Sequence, residues 1–117
     1  MNDRFASTPE PPYWAVLFSN QRTGADAEGY ARMAEAMERL GPSQPGFLGI
    51  ESTRDESGFG ITISYWTGEE AIAAWKRVAA HQQAQRTGHE RWYEDFITRV
   101  ARVERAYTKD SSPRAGL

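Results

Sequence analysis

Two histidines and a few amide and guanidinium groups are the side chains of this sequence best suited to catalysis. His81 lies at the flank of the apolar stripe of a predicted helix, where its ring reaches either into a cavity or into water. Because histidine titrates near neutral pH, His81 is a candidate general base, with a hydrogen-bonded structural role as the alternative. His89 precedes Glu90, but no second histidine follows four residues later, so the zinc-protease pattern is absent.

A second group of residues suits the binding of a flat organic ligand. Trp66 closes a predicted strand and Trp75 lies in the helix that follows, so both reach the space between helix and sheet. Such a pair either lines an aromatic pocket or fills the core, and the sequence leaves both interpretations open. Gln82 and Arg86 continue the stripe of Trp75 towards the end of the helix, where they either cap a pocket or face solvent.

Asn20 and Trp92 complete the set of candidates. Asn20 ends the first predicted strand, where its amide either donates to a ligand oxygen or caps the turn before Thr23. Trp92 and Tyr93 are neighbours on a short turn, and we expect them to point in different directions, one inward and one towards a partner subunit. Trp92 is therefore a further candidate for the pocket.

Composition excludes several other classes of protein. The 117 residues contain no cysteine and two histidines, which excludes disulfide frameworks, cysteine-bound metals, thiolate nucleophiles and multi-histidine metal centres. The 14 basic residues are dispersed and the net charge is −2, which argues against nucleic-acid binding. No apolar run approaches the roughly 18 residues of a membrane span, and the N-terminus lacks a signal-peptide pattern. We therefore expect a cytoplasmic, single-domain protein that binds neither nucleic acid nor membrane.

The elements that position the candidates are predicted from periodicity and turn signals. Residues 13–107 form one domain, between a flexible or loosely attached arm at 1–12 and a flexible tail at 108–117. The predicted strands span 13–20, 47–54, 60–66 and 96–107, with one helix from Asp26 and another after Thr67. A short helical turn is expected near residue 89. Thr23 or Asp26 caps the first helix, and Thr67 with Glu70 forms a capping box for the second.

This β-α-β-β-α-β order predicts an α+β, ferredoxin-like fold, in which two helices cover one face of a four-stranded antiparallel sheet. The opposite face would carry apolar residues of the first strand and of the Phe47 and Ile61 regions, a larger patch than monomers usually expose. We therefore predict a homodimer in which two sheets pack face to face. Five Phe, five Tyr and four Trp residues are then divided between this contact, the core and a pocket.

The order of the elements and two stretches of the sequence resemble the antibiotic biosynthesis monooxygenase family. The first stretch is continuous and consists of ITISYW (61–66), TGEEAIAAW (67–75), KRVAAH (76–81), QQAQR (82–86) and TGHERWY (87–93), and the second is the closing RVARVERAY (99–107). The resemblance covers about residues 13–107 and implies a dimeric α+β barrel. Trp66 and Trp75 match positions that line the cavity in relatives, and His81 matches the histidine common on the second helix.

Two positions depart from better-known members of that family. Thr62 stands where the polyketide oxygenases carry an asparagine. Gln85 and Arg86 stand where the heme-degrading members carry their proximal histidine, which argues against heme.

The resemblance implies a cofactor-independent monooxygenase that oxidises an aromatic or quinol-type small molecule, with dioxygen as co-substrate. In this scheme His81 is the base, and Arg86 or Asn20 stabilises the substrate anion. The expected substrate-binding residues are Trp66, Trp75, Phe18, Thr62, Gln82 and Trp92. The alternatives are a non-catalytic dimer that binds a hydrophobic metabolite, a heme-binding or heme-degrading protein, and a fold whose aromatic residues only form core and interface.

Overall fold

Four strands and two helices follow one another in the predicted order. The computed structural model describes residues 2–86 and 88–111, so most of the predicted flexible tail lies outside the described residues. The elements are β1 (Tyr13–Arg22), α1 (Ala27–Leu40), β2 (Phe47–Arg54), β3 (Phe59–Trp66), α2 (Glu69–Ala84) and β4 (Tyr93–Val103), with 3-10 turns at Gly41–Ser43 and His89–Arg91. The strands pair antiparallel in the order β2-β3-β1-β4. The predicted ferredoxin-like α+β fold is confirmed, as is the helical turn near residue 89.

The last strand is the element whose predicted bounds differ most from the structure. It begins at Tyr93 rather than 96 and ends at Val103 rather than 107. β1 continues to Arg22, and after an irregularity between Gln21 and Arg22 it pairs Arg22 with Tyr93. The early start of β4 therefore follows from its pairing with β1. The residues of β4 by themselves do not predict this pairing.

The first helix is capped by Asp26, one of the two predicted residues. Its backbone is in the left-handed region (φ 51°), and its Oδ1 accepts a hydrogen bond from the Gly29 amide at 3.2 Å. A Cβ at position 29 would collide with the Asp26 carboxylate, so a larger residue there would displace the capping group. The other candidate, Thr23, instead donates its hydroxyl to the Arg91 carbonyl.

The predicted capping box of the second helix is wrong. The N-cap is Gly68, in an extended conformation and without a side-chain cap. Thr67 lies outside the helix because it contacts the turn before β2. Its amide donates to the Gly46 carbonyl at 2.9 Å, and its side chain packs against Gly46. Glu69 and Glu70 still lie in the first turn, where the helix dipole favours negative charge.

One face of the sheet, the helix-side face, packs against α1 and α2. At one end of it Trp66 is completely buried, with its ring centroid 5.8 Å from that of Trp75 in α2 and 5.5 Å from that of Phe47. Phe47 was expected on the opposite face, and that expectation is wrong. The pairing of β2 with β3 shifts between Phe47 and Gly49, and such an irregularity reverses which face a side chain occupies.

The other face, the open face, carries the apolar side chains expected from the first strand and the Ile61 region. Leu17 pairs with Ile63, and Ile61 lies two residues away on the same face. Ile97 of β4 also lies there and is 47% exposed. The expected apolar residues of the first strand and the Ile61 region are thus confirmed on the open face, where Glu51 and Arg99 flank the Leu17–Ile63 pair, whereas the homodimer stays a prediction.

Residues of the N-terminal arm cross one end of the open face. The Ala6 amide donates to Oε2 of Glu51 at 2.9 Å, and the Thr8 hydroxyl donates to the Tyr13 oxygen at 3.0 Å. A Cβ at Gly49 would lie 2.7 Å from the Ala6 Cβ, so the glycine permits this close approach. The flexibility of the arm stays a prediction, but the arm has specific contacts on the sheet.

Candidate active site

Four aromatic rings gather where α1 crosses the ends of β1 and β4, and we call Phe18, Tyr30, Tyr93 and Phe96 the aromatic cluster. The ring centroid of Phe18 lies 5.4 Å from that of Tyr93 and 5.6 Å from that of Phe96. Tyr30 of α1 contacts Tyr93 edge-on at 5.9 Å. Phe96 is 59% exposed, so the cluster offers an aromatic surface that a ligand can reach.

Strand register places the cluster and its neighbours on the helix-side face. Phe18 of β1 is flanked by Thr62 of β3 and Thr98 of β4. Two residues away, Val16 pairs with Val100, which is 49% exposed. Because alternate residues of a strand share a face, these side chains form an apolar strip with threonine hydroxyls beside it.

Trp92 supports the aromatic cluster from the interior. Its side chain is 1% exposed, its ring lies 5.8 Å from Tyr30, and its indole N–H donates to Oδ2 of Asp26 at 3.0 Å. This bond, followed by that from the Gly29 amide, lowers the pKa of Asp26 below its usual range. Trp92 and Tyr93 were expected to point in different directions, but both rings contact Tyr30 on the helix side of the sheet.

Two arginines adjoin the cluster, and Asn20 positions one of them. Arg54 donates from Nη1 to Oδ1 of Asn20 at 2.8 Å and from Nη2 to the Tyr30 hydroxyl at 2.9 Å. Asn20 is 2% exposed, and its Nδ2 donates to the Gly60 carbonyl at 3.4 Å. The guanidinium carbon of Arg22 lies 3.7 Å from the centroid of the Tyr30 ring. The amide predicted to bind a ligand therefore holds a guanidinium group that faces the cluster.

Tyr93 is the titratable member of the aromatic cluster whose environment is most perturbed. Burial, and after it the neighbouring Tyr30, raises the pKa of Tyr93 above its ordinary value, while Arg54 and Arg22 lower it to a smaller extent. The Tyr93 hydroxyl therefore stays protonated at neutral pH. It can donate a hydrogen bond to an oxygen anion but is a poor base.

The two tryptophans predicted as pocket walls pack against each other. Trp66 and Trp75 make a tilted stack at 5.8 Å, and the Trp66 indole N–H donates to the Ser64 hydroxyl at 2.8 Å. Two surface cavities, of about 460 and 580 Å³, are lined by other residues: Asp26, Gly29, Arg32, Gln85 and Arg86 for one, and the segments around Gly46 and Thr67–Ala71 for the other. Trp66 is thus a core residue. Of the other predicted binding residues, Thr62 lies beside Phe18 in the sheet.

The predicted catalytic residues of the second helix lie in contacts separate from the cluster. His81 is exposed, and the Gln85 amide donates to its Nε2 at 2.9 Å. Arg86 donates from Nη1 to the Gln82 carbonyl at 2.9 Å. Asn20, as described above, contacts Gly60 and Arg54. The structure therefore does not bring His81, Arg86 and Asn20 into one contact network.

Sequence reasoning missed Tyr30, Tyr93, Arg22 and Arg54. Tyr30 lies within the helix predicted from Asp26, and Arg54 ends the strand predicted at 47–54, so neither pattern marks these residues as part of a site. Strand register carried the signal: a hairpin at residues 55–58 places Arg54 opposite Gly60, and Gly60 lies opposite Asn20. Within the described residues, no group of three or more acidic, histidine or cysteine side chains is arranged to hold a metal ion.

Comparison with known proteins identifies relatives of the chain. The sequence profile of the antibiotic biosynthesis monooxygenase family matches residues 14–87. The uncharacterized protein YqjZ of Bacillus subtilis is 48% identical over 105 residues, which cover 90% of this chain and 91% of YqjZ. A protein of Pyricularia oryzae named jasmonate monooxygenase is 28% identical over 94 residues, which cover 77% of this chain but 43% of that protein.

Solved structures show the same fold at low sequence identity. A dimeric ferredoxin-like protein of unknown function from Thermobifida fusca superposes with a TM-score of 0.58 at 11% identity, covering 85% of this chain and 99% of the other. SO0527 from Shewanella oneidensis superposes with a TM-score of 0.66 at 10% identity, covering 87% and 100%. In the described part of the chain, the helices are too short or too polar to traverse a bilayer.

Proposed function

Because the chain belongs to the antibiotic biosynthesis monooxygenase family, we propose that it is a monooxygenase that oxidises a small aromatic or quinol-type molecule with dioxygen. The observation that carries the proposal is the aromatic cluster, whose exposed Phe96 ring lies against Phe18 and beside protonated Tyr93. A relative named as a monooxygenase of a small organic molecule supports it.

Binding follows from the apolar strip on the helix-side face. Phe96 and Val100 expose 59% and 49% of their surface, respectively, and their strand neighbours Phe18 and Val16 are half-buried. A flat ring that covers this strip gains about 25 cal/mol for each Å² of apolar surface removed from water. The strip therefore holds the ring, and the hydroxyls of Thr62 and Thr98 orient its polar substituents.

The proposed chemistry needs no resident cofactor. With an anthrone-type substrate, a base removes a proton from the CH₂ carbon, and the resulting anion reacts with dioxygen; one oxygen atom becomes the carbonyl oxygen at that carbon, and the other leaves as water with its two hydrogens. With a hydroquinone, the base removes a hydroxyl proton and dioxygen reacts at a ring CH; the product is a hydroxyquinone, and the second oxygen atom leaves as water with the two hydrogens that the substrate loses. The protein contributes hydrogen-bond donors for the substrate anion, and we assign this role to the protonated Tyr93 hydroxyl and to the guanidinium of Arg54, which also donates to the Tyr30 hydroxyl.

His81 remains the proposed base. Its ring accepts a hydrogen bond from Gln85 on the exposed side of α2, so the proposal requires that the ring leave Gln85 and turn to the substrate. Positioned general bases contribute about 10²–10⁴-fold to the rate, so His81→Ala should lower turnover at least about tenfold. The matched control is His89→Ala, because the His89 ring contacts the Arg86 carbonyl and Trp92 instead. An unchanged rate in His81→Ala would remove His81 from the mechanism.

The direct test is oxygen uptake with anthrone-type and hydroquinone substrates, in buffer that contains a chelator and no added metal or flavin. We expect uptake with formation of a carbonyl product, and we expect Phe96→Ala to weaken substrate binding. A hemin titration without a Soret shift would agree with the cofactor-independent scheme. Absence of oxygen uptake across both substrate classes would contradict it.

A non-catalytic dimer that binds a hydrophobic metabolite is the second candidate. It is favoured by the separation of His81, Arg86 and Asn20 into different contact networks. Saturable binding of the same substrates without oxygen consumption would select this function.

For either function we propose a homodimer that buries the open faces of two sheets. The support is the apolar set that includes Leu17, Ile63 and the half-exposed Ile97. Sedimentation at micromolar concentration tests it, and a monomer would overturn it.

A further inference from the structure

Arg22 and Arg54 carry charges that no carboxylate balances in the part of the chain that the structure describes. The ion pairs within 4.0 Å formed by those residues include neither arginine. Both guanidinium groups nevertheless approach one aromatic ring: their central carbons lie 3.7 and 5.7 Å from the centroid of Tyr30. Two like charges beside one ring repel each other, and an anion bound by both would relieve this repulsion.

Neutral oxygen atoms hold the two arginines in place. Besides its bonds to Asn20 and the Tyr30 hydroxyl, Arg54 donates to the Gly58 carbonyl at 2.6 Å. Arg22 donates from Nη1 to the Trp92 carbonyl at 2.8 Å. These bonds fix the orientation of both guanidinium groups but do not neutralise their charge. They also leave N–H donors on both groups for a ligand. A positioned guanidinium suits a carboxylate, which it binds with two parallel hydrogen bonds.

Two acidic side chains that adjoin this region are engaged in other hydrogen bonds. Asp55 follows Arg54, but its Oδ1 accepts from the hydroxyl of Ser57 at 2.6 Å and from the Ser57 amide at 2.9 Å. Asp26, beyond Trp92, accepts from the Trp92 indole and the Gly29 amide. Both carboxylates thus serve turns and caps, and the two arginines remain available to an external anion.

We propose that Arg22 and Arg54 form an anion-binding site for an aromatic carboxylate. The carboxylate binds the two guanidinium groups, and the aromatic part of the ligand lies on Phe18 and Phe96 of the aromatic cluster. The protonated hydroxyl of Tyr93 supplies a further donor. The inference rests on the proposed function only in treating this ligand as the substrate, since binding is measurable without turnover.

The test is calorimetric titration of the full-length protein with 2-naphthoate and with 2-naphthamide, which share a ring system and differ in charge. We expect 2-naphthoate to bind about tenfold more tightly than 2-naphthamide, because hydrogen bonds between charged groups are stronger than those between a charged and a neutral group. This preference should shrink in about 0.5 M salt, which screens charges beyond a few ångströms. Equal affinities, or no binding of either compound, would overturn the proposal.

Substitutions of Arg54 test whether this residue causes the preference for 2-naphthoate over 2-naphthamide. Arg54→Gln should remove the preference for 2-naphthoate and leave the affinity for 2-naphthamide within about twofold, because only the charge-assisted bonds are lost. Arg54→Lys should keep part of it, since the charge remains but the planar fork is lost. The control is Arg39→Gln, an exposed arginine in the last turn of α1.

The outcomes separate the two proposals. If Arg54→Gln weakens both ligands equally, or if Arg39→Gln acts as strongly, the anion site is refuted. If Arg54→Gln fails to fold, the preference and its salt dependence in the unmodified protein decide the question. Retained preference for 2-naphthoate without oxygen uptake would overturn the monooxygenase proposal and leave the anion site standing.

Discussion

Replacement of Trp66 tests whether this side chain is a core residue or a pocket wall. Its ring is fully buried, lies between Phe47 and Trp75 at 5.5 and 5.8 Å, and donates its N–H to Ser64. Truncation of a buried tryptophan to alanine costs about 3–5 kcal/mol through lost transfer energy and the cavity that remains. Because small domains are stable by about 5–15 kcal/mol, Trp66→Ala should remove a large fraction of the free energy of unfolding.

The assay is urea unfolding followed by far-UV circular dichroism, which does not depend on the fluorescence of the replaced tryptophan. With a slope of about 2 kcal/mol/M, a loss of about 4 kcal/mol lowers the midpoint by roughly 2 M. Trp66→Phe keeps a buried ring but leaves the Ser64 hydroxyl without its donor, at a cost of about 1–3 kcal/mol. The matched control is Trp14→Phe, because Trp14 is the half-buried partner of Trp66 on the same face.

The reasoning would be refuted by a Trp66→Ala midpoint close to that of the unmodified protein with an unchanged slope. That result would mean that the ring borders open space, and it would restore the interpretation of Trp66 and Trp75 as pocket walls. A lower slope would instead report a change in the surface exposed on unfolding.

Three further predictions concern the cap of α1, the arm and the open face. Folding lowers the pKa of Asp26, so the ionised carboxylate stabilises the fold above the unfolded pKa of about 3.9, and this contribution disappears as pH falls through the folded pKa. The loss of unfolding free energy in Asp26→Asn should therefore be largest near pH 7 and vanish in strong acid, as measured by urea unfolding. Gly49→Val should displace Ala6 from the sheet and accelerate hydrogen exchange of the Ala6 amide, as measured by NMR. Leu17→Arg should convert the proposed dimer into a folded monomer in sedimentation experiments, because it places a charge within the apolar open face.

Each of these predictions has a contradicting result, and those on the arm and the open face also have a control variant. A deficit of Asp26→Asn that is independent of pH would show that the carboxylate charge is not responsible. Gly68→Ala adds a methyl group where no atom lies within 4 Å, so it should leave the Ala6 amide protected. Protection that persists in Gly49→Val would mean that the arm does not depend on this approach. Ala31→Arg, on the exposed side of α1, should leave the oligomeric state unchanged, and a Leu17→Arg dimer would exclude the open face as the contact.

Local patterns in the sequence predict the elements well where the signal is contained in the element. The strand predicted at 47–54, before a hairpin turn, is the strand that the structure contains, and Asp26 acts as the helix cap that its residue type suggests. The capping box at Thr67 fails for a physical reason: packing of Thr67 against Gly46 competes with the cap, and a distant turn in the chain decides the outcome.

The candidate site was less accessible from sequence because its members meet across strands and helices. Asn20 was identified as a polar candidate, but its partner Arg54 lies 34 residues away and reaches it only through the register of β2, β3 and β1. Phe18 was expected to bind substrate, but its neighbours Tyr30 and Tyr93 come from a helix and from the start of another strand. His81 and Arg86 were chosen from a helical stripe, which gives the direction of a side chain but not what it meets.

The sequence by itself determined the order of the elements, the ferredoxin-like fold, the apolar character of the open face and membership of the family, since these follow from local periodicity and short motifs. Only the tertiary structure decided which aromatic residues are buried in the core and which are left exposed. Trp66 is buried against Trp75, whereas Phe96 is more than half exposed beside Phe18. Two arginines without a carboxylate partner in the described residues lie beside Tyr30 of the same cluster. The physical reason is that burial and charge balance depend on strand register and helix docking, which join residues far apart in the chain.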